Sequence, residues 1–209
     1  ETGADAILVS CADGVAETEC KSLRETCAAN GVSDVLLYLG GGFLAAKGGW
    51  DEAEALFAAQ PLAPLRMAAA KGLNAPLSSS AGRLFDAVAA CLGICPAVQS
   101  YEGEAAIRLE AVVCRRTLVE EGDELAYPLT IPNLKGSGLP YIEPLGMWNA
   151  ILGDLVLGTP VPVMAARFHK GLAKAVAAMA LKLARREDEA GPRFDTVALS
   201  GGCFQNCIL

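Results

Sequence analysis

The chain has 209 residues, 53% of them hydrophobic and 20% charged, so it can bury a sizeable core, which excludes an intrinsically disordered protein. Its net charge of -7 and lack of a long basic run argue against a nucleic-acid partner, because that affinity comes largely from lysine and arginine on phosphates. Charges interrupt the apolar stretches before the roughly 18 to 20 residues that a membrane-spanning helix needs, and no signal-peptide layout begins the chain. We therefore expect a cytoplasmic protein without a membrane partner.

The cysteines and the single histidine give little support for a metal site. None of the cysteines forms a CxxC pair, and one histidine leaves no room for a histidine-rich cluster. The eight cysteines lie at Cys11, Cys20, Cys27, Cys91, Cys95, Cys114, Cys203 and Cys207. We interpret Cys20 and Cys27, which are seven positions apart in a helical pattern, as small buried apolar groups in a reducing compartment.

The first 60 residues alternate between strand and helix patterns. Short apolar runs predict strands, and apolar residues spaced along one face predict helices, the second of them capped by Asp51. This alternation is typical of a parallel sheet with right-handed crossovers. The predicted elements are strand 6–10, helix 16–29, strand 35–39 and helix 51–59.

The segment QPLAPLRM interrupts this alternation. Pro61 and Pro64 lack amide donors and disfavour a helix in the residue before them. We place a domain boundary there, between residues 1–60 and residues 61–209. Both ends of the chain, at Glu1 and Leu209, look cut.

Three elements are predicted between the boundary and the last strand. A helix capped by Ser79 or Ser80 has an apolar face formed by Leu84, Val88 and Cys91. Residues 127–147, rich in proline and glycine, predict a loop or a cover over a substrate. A long helix over 164–186 carries an apolar stripe that indicates core packing. The stripe comprises Phe168, Leu172, Val176, Met179 and Leu183.

The last predicted strand, TVALS at 196–200, ends at a pair of glycines, Gly201 and Gly202. Glycines after an apolar run let the backbone turn sharply and let another molecule approach closely. On these residues alone an ordinary strand-to-helix turn and a ligand-binding loop both remain open.

Four ordered segments together resemble the C-terminal transferase domain of the HypF family, the carbamoyltransferases of [NiFe]-hydrogenase maturation. They are PLSSSAGRLFDAVAACLG (76–93), YEGEAAIRLE (101–110), ARFHKGLA (166–173) and VALSGGCFQNCIL (197–209). The resemblance implies an actin/Hsp70-like (ASKHA) nucleotide fold over about residues 62–209. It also implies ATP-derived carbamoyl-adenylate as substrate and the C-terminal cysteine of a HypE-like partner protein as acceptor. It favours the ligand loop at the glycine pair.

The same resemblance implies which residues bind the nucleotide. Gly82 and Asp86 would meet the ribose, because a carboxylate accepts hydrogen bonds from two hydroxyls and glycine permits close approach. The glycine pair and Asn206 would approach the phosphate and adenosine, since backbone amides hold phosphate oxygens without lysine. The full set is Gly82, Arg83, Asp86, Gly103, Gly201, Gly202 and Asn206.

Alternatives stay open at several of these positions. Asp86 either binds ribose or is a solvated helix residue, and Arg83 pairs either with an acidic neighbour or with phosphate. Glu102 and Glu104, beside Gly103, either line a cleft or face water. A packed or capping role is favoured for His169 over a general base.

No catalytic residue is assigned from these motifs, and Cys203 is not taken as a nucleophile. The family also binds a metal through a histidine-rich motif and a distal aspartate-glycine segment, and neither occurs in the sequence.

Residues 1–60 resemble instead the cobalamin-binding small (sigma) subunit of glutamate (methylaspartate) mutase. The resemblance implies that Ser10, Gly41 and Gly42 line the cobalamin nucleotide tail, although the cobalt-ligating histidine motif is absent. The expected architecture is therefore α/β, with a partial flavodoxin-like unit before a partial carbamoyltransferase domain. The leading function is carbamoyl transfer, and the alternatives are a cobalamin-binding module or an inactive fragment or fusion.

Overall fold

The computed structural model describes residues 6–11, 67, 80–95, 99–184 and 196–209. These residues form an α/β arrangement of helices with a two-stranded parallel sheet. Short 3-10 helices span Asp123–Leu125 and Gly202–Gln205. The other elements are β1 (Ala6–Cys11), α1 (Ala81–Cys91), α2 (Glu104–Ala111), α3 (Arg115–Glu120), α4 (Leu145–Leu157), α5 (Val161–Ala184) and β2 (Thr196–Gly201).

The chain divides into two compact units. One unit contains residues 1–11 and 112–209, and the other contains residues 12–111. The first unit thus joins segments from both sides of the boundary that we predict near residue 60. That boundary stays a prediction, because most residues around it lie outside the described ranges.

The sheet pairs the two ends of the chain. β1 runs parallel to β2, with Ala6 opposite Thr196 and Cys11 opposite Gly201. Both strand predictions are confirmed, and each strand extends one residue beyond the predicted end. The predicted helices at 16–29 and 51–59 and the predicted strand at 35–39 lie outside the described residues.

The core of the first unit includes the buried faces of α4 and α5. Large side chains of both helices are at most 1% exposed, and Tyr127, which precedes α4, is also buried. The Tyr127 amide donates to the Arg167 carbonyl at 3.1 Å, and the Tyr127 carbonyl lies so close to Gly171 that a Cβ there would collide with it. The buried side chains of the two helices include Met147, Trp148, Ile151, Met164 and Phe168.

The apolar stripe predicted on α5 is confirmed in its first half. Phe168 and Leu172 are buried, whereas Leu183 is 39% exposed. The helix also begins three residues earlier and ends two residues earlier than the predicted 164–186. The buried face depends on small residues, among them Ala165, Ala175 and Ala180.

Helices α2, α3 and α4 are absent from our sequence prediction. The predicted loop at 127–147 is irregular up to Pro144, with isolated antiparallel bridges between Thr130 and Glu143 and between Asn133 and Pro140. Helix α4 then begins at Leu145, inside the predicted loop, and ends at Gly158 in the left-handed conformation that commonly terminates helices.

The second unit contains α1 and α2. The predicted apolar face of α1 is confirmed, since Leu84, Val88 and Cys91 are all buried. Ser80, one of the two predicted caps, accepts a hydrogen bond from the Arg83 amide at 3.4 Å. None of the helices in the described ranges combines the length and the apolar character needed to cross a membrane.

Candidate functional site

The turn that begins α1 carries three of the predicted nucleotide residues. Ser80 is extended and caps the helix, which places Gly82, Arg83 and Asp86 on its first two turns. The opposite side of the helix is buried, including Phe85 at 1% exposure. This division leaves the polar residues on the less buried side of the helix, where a ligand can reach them.

The structure decides the alternatives at Arg83 and Asp86 in part. Arg83 pairs with an acidic neighbour, since its Nη1 lies 2.9 Å from Oδ2 of Asp86. The Asp86 side chain is 18% exposed and the Arg83 side chain 60% exposed. Asp86 is therefore a partly buried, paired carboxylate, and the choice between a ribose ligand and a solvated helix residue stays a prediction.

Gly103 precedes α2 with a φ of +79°, a conformation that favours glycine. Its neighbour Glu104 is only 3% exposed and uses both carboxylate oxygens within the chain. Oε2 accepts from the Ser100 amide at 2.5 Å, and Oε1 lies 2.6 Å from Arg108. The alternative that Glu104 faces water is thus wrong, because its carboxylate is buried and holds the start of α2 in place. Glu102 is exposed.

The glycine turn, residues Gly201–Asn206, lies at the end of β2. Gly201 has a φ of 102° and a ψ of 163°, a region that essentially only glycine adopts. Gly202 then begins the 3-10 helix, and both glycines are exposed. The backbone at these residues is therefore open to a ligand, as the ligand-loop interpretation requires.

The Asn206 side chain contacts the two residues after Cys207, beyond the glycine turn, and also contacts α5. Its Oδ1 accepts from the amides of Ile208 and Leu209, each at 2.9 Å. Its Nδ2 lies 3.1 Å from Nε2 of His169. His169 is fully buried, and its Nδ1 lies 2.8 Å from the Ala165 carbonyl, so the predicted packed histidine is confirmed.

A buried polar cluster, which we did not predict, lies between α4 and α5. Asp154 accepts from the Tyr127 hydroxyl at 2.6 Å and from the Thr159 hydroxyl at 3.0 Å. Arg167 contacts both carboxylate oxygens of Asp154 and also lies 2.9 Å from Glu121. The only sequence signal was a lone acidic residue in the apolar stretch LGMWNAILGDLVLG.

The contacts of Asp154 and Tyr127 determine in which direction the pKa of each side chain is shifted. Burial by itself raises the pKa of Asp154, but hydrogen bonds from Tyr127, Arg167 and Thr159 outweigh burial and hold that pKa below its ordinary value. Burial and the hydrogen bond to Asp154 both raise the pKa of the Tyr127 phenol. The carboxylate is therefore charged and the phenol protonated at neutral pH, and the cluster is a structural brace.

The described cysteines differ in exposure. Burial raises the pKa of the Cys91 thiol to about 12, which makes it a poor nucleophile. Cys203 is buried within the glycine turn, in agreement with our decision not to assign it as a nucleophile. Cys114 is exposed, and its hydrogen bonds with Thr117 lower its pKa.

The candidate residues fall into separate groups. Gly82, Arg83, Asp86 and Gly103 belong to the second unit, whereas Gly201, Gly202 and Asn206 belong to the first. Ser10 occupies a position in β1 opposite Ser200. Gly41 and Gly42 lie outside the described residues.

A family model described as "Carbamoyltransferase, Kae1-like Domain, second subdomain" matches residues 41–209. The chain belongs to the HypF carbamoyltransferase family. Carbamoyltransferase HypF of Rhodobacter capsulatus is 47% identical over 166 residues, which is 79% of this chain and 20% of that protein. The chain thus spans about one fifth of the length of this HypF relative.

A crystal structure of full-length HypF in the phosphate- and nucleotide-bound form also matches. It has a TM-score of 0.62 and 26% sequence identity, and the match covers 86% of this chain and 22% of that one. The match to HypF therefore extends from sequence to structure.

A short part of the chain is also similar to the sigma subunit of glutamate mutase. The glutamate mutase sigma subunit of Clostridium tetani is 46% identical over 57 residues, which is 27% of this chain and 42% of that subunit. The HypF family model begins at residue 41, before the start near residue 62 that we infer from motifs, and it includes Gly41 and Gly42. The HypF family therefore covers most of the chain, and the mutase resemblance a minor part.

Proposed function

We propose that this chain supplies part of the nucleotide site of a HypF-type carbamoyltransferase. The observation that carries the proposal is the family match over residues 41–209, which includes all seven predicted nucleotide residues. The proposal includes an actin/Hsp70-like (ASKHA) fold for this part of the chain and a cytoplasmic setting.

Two observations are compatible with a bound nucleotide. Asp86 offers carboxylate oxygens on the partly exposed side of α1, which suits the two hydroxyls of a ribose. Gly201 and Gly202 expose backbone without a Cβ, which suits phosphate oxygens. Arg83 adds a positive charge beside Asp86, and Gly103 adds a half-buried turn with a positive φ in the same unit as Asp86.

The proposed reaction moves a carbamoyl group from carbamoyl-adenylate to a cysteine thiol of a HypE-like acceptor. The thiolate sulfur attacks the carbamoyl carbon, a carbon–sulfur bond forms, the carbon–oxygen bond to AMP breaks, and the thiol proton passes to a base. Negative charge develops on the departing phosphate. Backbone amides at the glycine turn would stabilise that charge, because fixed donors need no rearrangement during the reaction.

Calorimetry with AMP and with ATP tests the proposal. We expect the chain to bind AMP and Asp86→Asn to bind it roughly tenfold more weakly, since a charged hydrogen-bond acceptor is lost. Glu124→Gln is the matched control, because it removes one negative charge from an exposed residue outside the candidate site. Absence of AMP binding, or equal affinity in Asp86→Asn, would refute the proposal.

Adenosylcobalamin serves as the competing ligand in the same experiment. Binding of the corrinoid without binding of AMP would favour the mutase-like alternative for residues 1–60. The comparisons favour the transferase, since the mutase likeness covers 27% of the chain.

A further inference from the structure

His169 carries its proton on Nδ1. That nitrogen lies 2.8 Å from the carbonyl oxygen of Ala165, one helical turn earlier in α5. A carbonyl oxygen only accepts hydrogen bonds, so Nδ1 must donate. The imidazole is fully buried, which makes this hydrogen bond part of the core of the first unit.

Two backbone amides fix the orientation of the Asn206 carboxamide. The amides of Ile208 and Leu209 both point at the same side-chain atom, at 2.9 Å. Amides only donate, so that atom is Oδ1, and the atom facing His169 is Nδ2. Nδ2 also only donates, which assigns Nε2 of His169 as an unprotonated acceptor and the imidazole as neutral.

The contact links α5 to the far end of the glycine turn. At its near end, Gly201 pairs with Cys11 in the sheet. At its far end, Asn206 is held by His169, 37 positions earlier in the chain. The 3-10 helix Gly202–Gln205 lies between these two anchors.

We propose that His169 and Asn206 are positioning residues that hold the glycine turn in the geometry needed for a nucleotide phosphate. This inference rests on the proposed nucleotide site, and it assigns the Asn206 side chain to the shape of the turn. The Asn206 backbone amide donates to the Cys203 carbonyl within the turn, Oδ1 accepts from the residues that follow the turn, and Nδ2 contacts α5. The ligand then meets the backbone of Gly201 and Gly202.

Two substitutions of His169 test whether its Nε2 is needed as the hydrogen-bond acceptor for Asn206. His169→Leu keeps apolar volume and removes the acceptor that faces Asn206. His169→Gln offers a carboxamide oxygen that can accept from Nδ2 of Asn206 in place of Nε2. We expect AMP affinity to fall roughly tenfold in His169→Leu and to stay within about threefold of the parent in His169→Gln.

Tyr127→Phe is the matched control for lost stability. It removes a buried hydrogen bond in the same unit without touching the glycine turn. We expect its thermal midpoint to fall while its AMP affinity equals that of the parent. Equal AMP affinity in the parent, His169→Leu and His169→Gln would overturn the inference and leave the nucleotide site standing.

Asn206→Asp replaces His169→Leu as the test if the latter does not fold. Aspartate keeps an oxygen for the two backbone amides and removes the donor to His169. Gln205→Glu is its control, since it adds the same charge at an exposed neighbouring position of the turn. Affinity that falls equally in both variants would overturn the inference, and a larger fall in Asn206→Asp supports it.

Two measurements without nucleotide separate failure of this inference from failure of the nucleotide site. The chain has one histidine, so a long-range proton–nitrogen spectrum reports its tautomer without overlap. We expect a proton on Nδ1 alone at neutral pH, and a proton on Nε2 would overturn the assignment. Amide hydrogen exchange over 202–209 should accelerate in His169→Leu and not in His169→Gln, and unchanged exchange would overturn the link even if the parent binds no AMP.

Discussion

The turn that begins α1 and the glycine turn after β2 are held in place by different means. Ser80 and Arg83, and Arg83 and Asp86, are three positions apart, so the first turn depends on its own segment. The glycine turn depends on His169, 37 positions away, and on pairing between the two ends of the chain. Local contacts of the first kind can be read from sequence spacing, whereas contacts of the second kind exist only after the unit has folded.

The largest expected effect tests the anchoring of α5, the helix that carries His169. We expect Asp154→Ala to lower the free energy of unfolding by about 2–3 kcal/mol, because the buried Tyr127 hydroxyl loses its acceptor and the partly buried Arg167 keeps only Glu121. Urea unfolding measures this change. Glu120→Ala, which breaks an exposed pair with Arg116, should cost less than about 0.5 kcal/mol. Equal losses in the two variants would contradict the assignment of Asp154 as a structural brace.

The pH dependence of stability tests the same contact. Because the folded-state pKa of Asp154 lies below its ordinary value, the stability that its ionised carboxylate contributes is complete above the ordinary pKa. That contribution is lost as pH falls through the lowered pKa. The stability difference between the parent and Asp154→Asn should therefore shrink as urea unfolding is repeated from pH 7 towards about pH 2. A difference that grows on acidification would reverse our assignment of charge.

The next effect concerns the glycine turn directly. We expect Gly201→Ala to cost about 2 kcal/mol of stability and to weaken AMP binding strongly, because its φ and ψ suit only glycine. Gly153→Ala is the control, since an added Cβ in α4 meets nothing within 4 Å. That control should gain about 0.5–1 kcal/mol, as is usual for glycine replaced by alanine within a helix. Unchanged AMP affinity in Gly201→Ala would remove the turn from the proposed site.

A smaller effect is expected at the first turn. Ser80→Ala should cost about 1 kcal/mol, because the hydrogen bond from the Arg83 amide to the cap is lost. Ser80→Asp restores a capping oxygen and should recover most of that loss in thermal unfolding. Failure of the aspartate to recover stability would mean that Ser80 acts through something other than its cap.

The smallest effect on stability is expected at Arg83. Its side chain is 60% exposed, so Arg83→Gln should change stability by less than about 0.5 kcal/mol. AMP affinity should nevertheless fall roughly threefold, in a salt-dependent way, if Arg83 attracts the phosphate. Arg116→Gln, which removes an equal charge from another exposed pair, should leave affinity unchanged. Equal affinity in both variants would remove Arg83 from the nucleotide site.

Sequence patterns predicted the elements that rely on near neighbours. The cap at Ser80, the buried face of α1 and the strand before Gly201 all follow from spacing within a few residues. Helix α4 was missed because proline and glycine before it indicate a loop and its own stretch is apolar on most sides, which gives little periodic signal.

At the candidate site, contacts between near neighbours could be predicted from the sequence, and contacts between distant residues could not. The motifs singled out Asp86, Gly201 and Asn206, and the spacing of Arg83 and Asp86 allowed their ion pair. Nothing in the spacing indicated that Asn206 would contact His169 or that Asp154 would contact Tyr127, because each pair is brought together by packing of separate elements.

By itself, the sequence determined the cap at Ser80, the apolar face of α1 and the glycine pair, because each depends on residues close together in the chain, and it also carried the resemblance to HypF. Only the tertiary structure decided which polar groups are buried together and which end of the chain pairs with β2. The physical reason is that a buried donor or acceptor must find a partner, and the partner available is set by how distant segments pack. The shape of the glycine turn is decided in that second way.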